Sequence, residues 1–301
     1  MTETELAQRV AQLKEERNAV ILAHNYQLPE IQELADFLGD SLDLSQQAAE
    51  TDADVIVFCG VDFMAQTAKL LSPDRTVLMP DPAAGCPMAD MIAAEQTRQF
   101  KAEHEGAPVV AYVNTTAEVK AEADICCTSS NAVRVVESLD AETVLFIPDS
   151  NLADWVDRHI DKEVIAWGGY CPTHVRINPR TVQYMKEEHP DAVFIAHPEA
   201  RREVLDMADE VASTGGMVTF ARATDAKEII VGTEEGLVHR LRRENPDKIF
   251  YIVPHTVCPN MKKTTAQKLV ASLENMQYEV AIAEDVAERA REAVERMMEV
   301  S

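Results

Sequence analysis

The chain has 301 residues, and its 28 basic and 52 acidic side chains give a formal net charge of −24 at pH 7. This charge argues against a nucleic-acid partner, because duplex binding needs a basic footprint and no lysine and arginine cluster of that kind is present. No apolar run approaches the length that spans a membrane, and residues 1–18 predict a charged amphipathic helix without the apolar core of a signal peptide. The composition therefore favours a cytoplasmic protein that binds neither nucleic acid nor membrane.

After the first helix, one series of elements recurs three times. A short apolar run, a polar turn and a helical pattern ending in Ala-Asp occupy residues 21–36, 109–124 and 194–209. Many α/β chains look self-similar, but agreement of several landmarks at one period favours a true triplication. Continuous apolar runs that alternate with helices indicate parallel sheets covered on both faces. The sequence therefore predicts an α/β fold of three similar domains with short parallel sheets around one centre.

The period also predicts where the domains begin and end. The first α/β repeat, with the N-terminal helix, covers residues 1–105, the second covers 106–190 and the third covers 191–277. Residues 278–301 predict a C-terminal helix packed on the body. The apolar positions on one face of this helix are Val286, Ala287, Ala290, Ala293, Val294 and Met297.

Three of the six cysteines precede a proline and follow the same period. Cys171 follows Cys86 by 85 residues, and Cys258 follows Cys171 by 87. Thiols so far apart cannot form a zinc knuckle or a local ferredoxin run, which need close spacing. Three repeats around a centre would bring them together, so two interpretations stay open: one shared metal site, or three unconnected loop thiols. The cysteines expected to pack in the core are Cys59, Cys126 and Cys127.

Polar side chains follow the first apolar run of each repeat. The three segments are His24-Asn25-Tyr26, Tyr112-Val113-Asn114 and His197-Pro198-Glu199. Ligands of open parallel sheets bind beyond the carboxyl ends of the strands, so these segments are expected to converge on the centre that the Cys-Pro loops share. A single His or Tyr there would be an ordinary surface residue, whereas His, Tyr and Glu together can move protons during condensations and dehydrations.

Two hydroxyl-rich turns, at residues 128–131 and 213–216, are candidate anion sites. Hydroxyls and free backbone N–H groups at a helix start bind phosphate or carboxylate, although an ordinary helix cap is the more frequent role of such a turn taken singly. The sequence contains no glycine-rich phosphate loop with its lysine, no dinucleotide fingerprint and no zinc-protease motif.

Taken together and in this order, the motifs resemble those of quinolinate synthase. The matching segments are His24-Asn25-Tyr26, Gly39-Asp40-Ser41-Leu42, Tyr112-Val113-Asn114-Thr115, Cys127-Thr128-Ser129-Ser130-Asn131, His197-Pro198-Glu199, Ser213-Thr214 and the three Cys-Pro loops. The resemblance spans residues 19–265 and implies three domains around a pseudo-threefold axis, with the active site at the centre. It implies one 4Fe–4S cluster per chain, held by Cys86, Cys171 and Cys258, with one iron left free to act as a Lewis acid.

The resemblance also implies a reaction and a set of site residues. Iminoaspartate and dihydroxyacetone phosphate would give quinolinate, phosphate and water for NAD biosynthesis. Glu199 would be the leading acid/base group, with Tyr26, Tyr112 and His197 as further catalytic residues. The residues expected to bind substrate are His24, Ser41, Tyr112, Val113, Asn114, Ser129, His197, Pro198, Glu199 and Thr214. His174, three residues after Cys171, is either a support for the cluster or a surface histidine.

Two other classes of protein share some of these features. Radical S-adenosylmethionine enzymes of the diphthamide-synthesis type also use three domains with one cluster thiol from each, but they act on a protein and do not account for the polar strand ends. An iron–sulfur sensor would need no convergent acid/base set. The expected partners are therefore small-molecule substrates, together with a functional link to an enzyme that produces iminoaspartate.

Overall fold

The structure is a computed structural model that describes residues 2–300, and within this range the chain forms twelve β-strands and fourteen α-helices. The strands are β1 (Ala19–His24), β2 (Phe37–Gly39), β3 (Val55–Cys59), β4 (Thr76–Leu78), β5 (Val109–Tyr112), β6 (Ile125–Cys127), β7 (Thr143–Ile147), β8 (Glu163–Ala166), β9 (Val193–Ala196), β10 (Glu210–Val211), β11 (Glu228–Gly232) and β12 (Ile249–Ile252).

The helices alternate with the strands along most of the chain. They are α1 (Glu3–Arg17), α2 (Pro29–Leu34), α3 (Ser41–Glu50), α4 (Asp62–Leu71), α5 (Ala94–Glu103), α6 (Ala117–Lys120), α7 (Ala132–Ser138), α8 (Ser150–Asp157), α9 (Pro179–Glu188), α10 (Arg202–Leu205), α11 (Thr214–Ala223), α12 (Leu237–Glu244), α13 (Ala266–Asn275) and α14 (Glu284–Glu299). Short 3₁₀ turns follow the first two Cys-Pro pairs, at Ala89–Met91 and His174–Arg176.

Each third of the chain builds the same four-stranded parallel sheet. The strand orders are β2-β1-β3-β4, β6-β5-β7-β8 and β10-β9-β11-β12, so the first strand of each unit always lies between its second and third. All pairings between these strands are parallel. The predicted α/β fold of three similar units is confirmed.

One aspartate ties the first strand of each unit in the same way. The carboxylate of Asp36 accepts a hydrogen bond from Ile21 N at 2.8 Å, while Asp36 N donates to the carbonyl of Ile21 at 2.9 Å. Asp124 makes the same pair of bonds to Val109. The third pair joins Asp209 to Phe194. Each aspartate also pairs with a lysine on the helix that precedes the first strand of its unit; these lysines are Lys14 on α1, Lys101 on α5 and Lys186 on α9. The repetition therefore extends to individual side chains.

Both faces of the first sheet are buried, as its apolar strands require. All five residues of β3 are buried, and those of β1 are buried from its second residue on. Alternate strand positions pack against α1 and α13 on one side, and against α3 and α4 on the other. This two-sided burial is the physical reason that the strands read as continuous apolar runs rather than alternating ones.

The last two helices of the chain pack against elements of the first and second units. Helix α13 follows the third unit but packs against α1 on the outer face of the first sheet. Helix α14 packs across α4, α6 and β6, with Ala290 and Val294 fully buried. We propose that the domains divide as the sequence predicts, with α13 reaching across to the first. No helix within residues 2–300 is both long and apolar enough to cross a membrane.

Candidate active site

A cavity of about 170 Å³ opens at the carboxyl ends of the first strands of the three units, β1, β5 and β9. The sequence-predicted residues that line it are His24, Tyr26, Ser41, Cys86, Tyr112, Asn114, Ser129, Cys171, His197, Glu199, Thr214 and Cys258. Every unit contributes, so the triplicated sheet order brings distant parts of the chain to one place. The functional roles given to these residues remain predictions.

Two of the predicted substrate-binding residues, Val113 and Pro198, are buried but do not line this cavity within the described part of the chain. The backbone N–H of Val113 donates to the carbonyl of Cys127 at 2.9 Å, which holds the loop that carries Asn114. Pro198 lies between two residues that do line the cavity. Their direct contact with substrate stays a prediction.

Glu199 ends a chain of hydrogen bonds that crosses the cavity. Its Oε1 accepts from Tyr112 Oη at 2.6 Å, and its Oε2 lies 2.7 Å from His174 Nδ1. On the far side of the ring, His174 Nε2 lies 2.8 Å from Thr233 Oγ1. Thr233 Oγ1 is in turn 2.5 Å from Tyr26 Oη. An ionised carboxylate only accepts, so His174 Nδ1 donates to Glu199. In the neutral form of the His174 ring, Nε2 accepts, and the donors are then ordered toward Glu199 from Tyr26 through Thr233 and His174.

The protonation states of this chain follow from burial and contacts. Burial raises the pKa of Tyr26 and of Tyr112 well above the usual value, and the charge of Glu199 adds to the effect. Burial also opposes ionisation of Glu199, but the positive field and hydrogen bond of His174, aided by the Tyr112 hydrogen bond, hold the pKa of its carboxyl below the usual range. Near neutral pH, Glu199 is therefore a carboxylate that accepts hydrogen bonds from Tyr112 and His174.

Two histidines at equivalent strand ends are held in one tautomer. His24 Nδ1 accepts from the N–H of Tyr26 at 3.2 Å, and His197 Nδ1 accepts from the N–H of Glu199 at 3.3 Å. Burial lowers the pKa of both rings to about 3, so both are neutral near pH 7. A neutral ring whose Nδ1 accepts must carry its proton on Nε2. Each histidine can therefore donate one N–H to a ligand.

Asn114, in the cavity wall, has a side-chain oxygen that is an unused hydrogen-bond acceptor among the described residues. Its Oδ1 is buried without a hydrogen-bond partner among the described residues, while its Nδ2 lies 3.4 Å from Glu199 Oε1. A buried, unpaired carbonyl oxygen costs about 1–3 kcal/mol unless a ligand or water satisfies it. The cavity thus combines N–H donors at two histidines with a free acceptor at Asn114.

The three Cys-Pro loops fold alike around their sulfurs. In each loop, backbone N–H groups two or three residues further on donate to the thiol sulfur. The donors are Met88 and Ala89 for Cys86, His174 for Cys171, and Asn260 and Met261 for Cys258. Such bonds favour the thiolate and are a means by which proteins tune iron–sulfur clusters.

The thiols face one cavity in the reduced form. All six cysteines of the chain are free, and burial raises the pKa of Cys86 to about 12 and also raises those of Cys171 and Cys258. Three buried thiolates would repel each other unless a cation lay between them, and soft thiolate ligands select iron–sulfur clusters, zinc or copper. The donor set therefore fits a thiolate-bound metal group.

A second group of possible metal ligands lies beside it, at Cys171, His174 and Glu199, whose ligand atoms are all within 4.8 Å of one another. His174 Nδ1 lies 3.1 Å from Cys171 Sγ and 2.7 Å from the Glu199 carboxylate. Two acceptors at this nitrogen mean that it carries a proton, so it cannot bind a metal in this arrangement. We interpret the trio as a hydrogen-bonded link between the thiol loop and Glu199.

Sequence reasoning missed several residues of the site. Thr233 follows β11 directly, and the convergence of strand ends could have indicated it. Glu234 Oε1 accepts from Cys258 N at 3.0 Å and lies 2.9 Å from Lys262 Nζ, so this buried ion pair fixes the third thiol loop. His174 is 2% exposed, so the surface interpretation of it was wrong. The buried thiols at Cys59, Cys126 and Cys127 agree with the core packing expected of them.

Three repeated parallel units that enclose a carboxylate, two neutral imidazoles and three loop thiols define an α/β enzyme with one central site. The family described as quinolinate synthetase A protein matches residues 8–299, and the chain belongs to this quinolinate synthase family. It is similar to the quinolinate synthase of Dehalococcoides mccartyi, with 59% identity over 98% of both chains.

Two further relatives come from distant organisms. The quinolinate synthase of Thermodesulfovibrio yellowstonii is 53% identical over 97% of both chains. Quinolinate synthase 1 of Methanosarcina acetivorans is 52% identical over all of this chain and 99% of its own. The resemblance drawn from the motifs is thereby confirmed over nearly the whole chain, and the radical alternative finds no support.

Proposed function

We propose that this chain condenses iminoaspartate with dihydroxyacetone phosphate to give quinolinate, phosphate and water in NAD biosynthesis. We also propose that Cys86, Cys171 and Cys258 hold a 4Fe–4S cluster. The observation that carries the proposal is the shared cavity, where the three loop thiols and the acid/base chain ending at Glu199 lie side by side. Family membership over residues 8–299 supports the same conclusion.

The hydrogen-bond chain supplies the proton transfers that such a condensation needs. A substrate proton accepted at Tyr26 Oη can be matched by transfer of the Tyr26 proton to Thr233, of the Thr233 proton to His174 Nε2, and of the Nδ1 proton to Glu199. The net result is one proton lost from substrate and one gained by Glu199. The protonated Glu199 can then return that proton to a departing hydroxyl, which leaves as water.

Neutral donors are well suited to hold the substrate oxygens. The Nε2–H groups of His24 and His197 can bind carboxylate or carbonyl oxygens without forming a fixed ion pair. The free Oδ1 of Asn114 can accept from a substrate N–H or hydroxyl. Ser41, Ser129 and Thr214 line the same cavity and are proposed to bind the remaining anionic oxygens.

Burial shapes the chemistry around these donors. The cavity is enclosed by apolar side chains such as Val61, Phe63 and Met64, which exclude water and strengthen each hydrogen bond inside. When bound, an iron–sulfur cluster with three protein thiolates supplies a Lewis acid that can polarise a substrate hydroxyl.

The function is tested with protein purified without oxygen. We expect it to form a pyridine dicarboxylate with ultraviolet absorbance only when both iminoaspartate and dihydroxyacetone phosphate are present. Iron and sulfide should be bound in nearly four copies each per chain. Absence of the pyridine product from protein that retains a full cluster would contradict the proposed reaction.

We further propose a cytoplasmic location and a functional link to an enzyme that makes iminoaspartate. Six unpaired cysteines are expected in a reducing compartment. Iminoaspartate is an imine that water hydrolyses, so a nearby source would limit its loss.

A further inference from the structure

Thr214, at the first position of α11, receives a hydrogen bond from another unit. Its Oγ1 accepts from Asn25 Nδ2 at 2.9 Å, and both side chains are almost fully buried. Asn25 directly follows β1 in the first unit, whereas Thr214 belongs to the third and lines the cavity. The contact therefore crosses the interface between two units at the cavity wall.

The orientation of the Asn25 amide is fixed by Arg240 of α12. Arg240 Nη1 donates to Asn25 Oδ1 at 2.7 Å. A guanidinium has donors only, so the amide oxygen must face Arg240 and the amide nitrogen must face Thr214. Thr214 Oγ1 is thereby the acceptor in its bond with Asn25.

Arg240 is itself held on two further sides. Its Nη1 also donates to the carbonyl of Leu38 at 2.9 Å, and its Nε donates to Glu244 at 2.8 Å. Glu244 also pairs with Arg222, with a shortest distance of 2.6 Å. The guanidinium of Arg240 is thus held by Leu38 and by Glu244, which Arg222 holds in turn, so the Asn25 amide has little freedom to reverse.

The hydroxyl proton of Thr214 is available to donate to a ligand in the cavity. A threonine hydroxyl has one proton to donate, and no hydrogen bond among residues 2–300 uses the proton of Thr214. We propose that Asn25 and Arg240 form a positioning relay that commits the Thr214 hydroxyl to donate to an anionic oxygen of the ligand. This rests on the proposed function, which gives Thr214 a carboxylate or phosphate to bind.

The relay makes anion binding depend on closure between units. Asn25 lies between Arg240 and Thr214, which both belong to the third unit. Separation of the first unit from the third would release the amide, and the Thr214 hydroxyl could then turn toward other acceptors. The orientation of the Thr214 hydroxyl is therefore tied to the contact between the first and third units.

The test is Asn25→Asp, which keeps the size of the side chain and its pairing with Arg240. A carboxylate only accepts, so the Thr214 hydroxyl would turn to donate to it and be lost to the ligand. We expect the Kd of quinolinate or of inorganic phosphate, measured by calorimetry on the anaerobic holoenzyme, to rise about 10- to 100-fold, the range for a hydrogen bond to a charged group.

A double-mutant cycle separates the relay from the added charge. In a Thr214→Val background, Asn25→Asp should change the Kd by no more than about threefold, since the hydroxyl that it redirects is gone. Thr214→Ser keeps the hydroxyl and should stay within about threefold of the original chain. Asn178→Asp is the matched control, because exposed Asn178 caps α9 through its oxygen and a carboxylate caps equally well.

Two results would overturn the relay. One is an unchanged Kd for both probes in Asn25→Asp; the other is an equal rise with and without the Thr214 hydroxyl. If Asn25→Asp does not fold, Arg240→Gln serves instead, because glutamine can donate or accept and no longer fixes the orientation of the Asn25 amide. We expect Arg240→Gln to raise the Kd less than Asn25→Asp does, and this rise should also vanish in the Thr214→Val background. Failure of the proposed function would show separately, as absence of pyridine product from the unaltered chain, while phosphate binding still reports on the relay.

Discussion

Glu199 Oε2 and His174 Nδ1 lie 2.7 Å apart, and both side chains are nearly inaccessible to solvent. The same nitrogen is 3.1 Å from Cys171 Sγ, so a single proton lies beside the Glu199 carboxylate and one of the loop thiols. The acid/base chain and the thiol loops therefore cannot be altered independently at this point. Substitutions at Glu199 must be judged together with the state of the metal group.

Glu199→Gln keeps the shape of the side chain but removes its ability to exchange a proton. We expect turnover to fall by at least about 100-fold, as for a positioned general acid/base group. Iron and sulfide content should stay unchanged. Glu228→Gln, at a carboxylate that accepts from Tyr251 on the sheet, is the control. Turnover near that of the unaltered chain would remove Glu199 from the mechanism.

Serine in place of Cys86, Cys171 or Cys258 should abolish bound iron or leave it labile, because hydroxyl oxygen is a poor ligand for the proposed cluster, which needs soft thiolate. Cys59→Ala, Cys126→Ala and Cys127→Ala should keep the full iron content, since these thiols are fully buried in strands. Metal analysis and the visible spectrum report both outcomes. Iron loss in the buried-cysteine variants, with the fold intact, would contradict the ligand assignment.

The buried neutral histidines predict a loss of stability in mild acid. Burial lowers the pKa of His24 and His197 to about 3, while an unfolded chain binds these protons near pH 6.5. Below pH 6.5 the unfolded state thus holds more protons, and stability falls as the pH falls, by at most about 1.4 kcal/mol per pH unit for each ring. The slope of Tm between pH 6.5 and 5 should flatten in a His24→Gln/His197→Gln double variant. Exposed His159→Gln is the surface control for this comparison.

Added salt should not lower kcat/KM, although the substrates proposed for this enzyme are anionic. With a net charge of −24, long-range repulsion opposes substrate approach most strongly at low ionic strength. We expect kcat/KM to rise, or at least not fall, from about 10 mM to a few hundred mM salt. A steep fall with the cluster intact would mean that a local basic funnel outweighs the global charge.

Arg176 is the most direct probe of that local field. Among the described residues that line the cavity, it carries the lone guanidinium or ammonium group. Arg176→Gln should lower kcat/KM about threefold at low salt, with a smaller loss as salt screens the charge. Exposed Arg180→Gln, on the neighbouring helix α9, is the matched control. Equal effects of the two substitutions would assign the loss to net charge alone.

The three strand-tying aspartates predict equal penalties in three places. Asp36→Ala, Asp124→Ala and Asp209→Ala each remove the acceptor of a strand N–H and the partner of a lysine. Each should cost about 1–3 kcal/mol of stability, seen as a lower Tm. Asp225→Ala, at an exposed loop position, should change little. A cost confined to one unit would mean that the repeated contacts do not contribute equally.

Much of the fold could be predicted because its landmarks lie within each repeat. Asp124 and Cys171 belong to patterns that recur at one period, and recurrence is visible in a single sequence. Contacts between units could not be found in that way, because they do not recur. Asn25 meets Arg240 only because two units dock, and the two residues are 215 positions apart along the chain. Thr233 likewise acquires its place in the proton chain from the packing of neighbouring units.

The position of α13 illustrates the same limit. Its apolar face can be identified in the sequence. An apolar helix face can pack on any of three similar sheets, however, and the residues of the helix alone do not indicate which sheet it covers. The predicted domain bounds include this helix in the third repeat, and they do not indicate that it packs against α1 over the first sheet.

The packing of α13 on α1 also has a consequence during synthesis. Chains leave the ribosome from the amino end, and domains generally fold in that order. Here the unit that emerges first lacks the helix that covers part of its sheet until the last tenth or so of the chain has been made. The amino-terminal unit, although the earliest translated, is thus completed only near the end of synthesis, and the part of its apolar face that α13 covers stays exposed in the nascent chain until then.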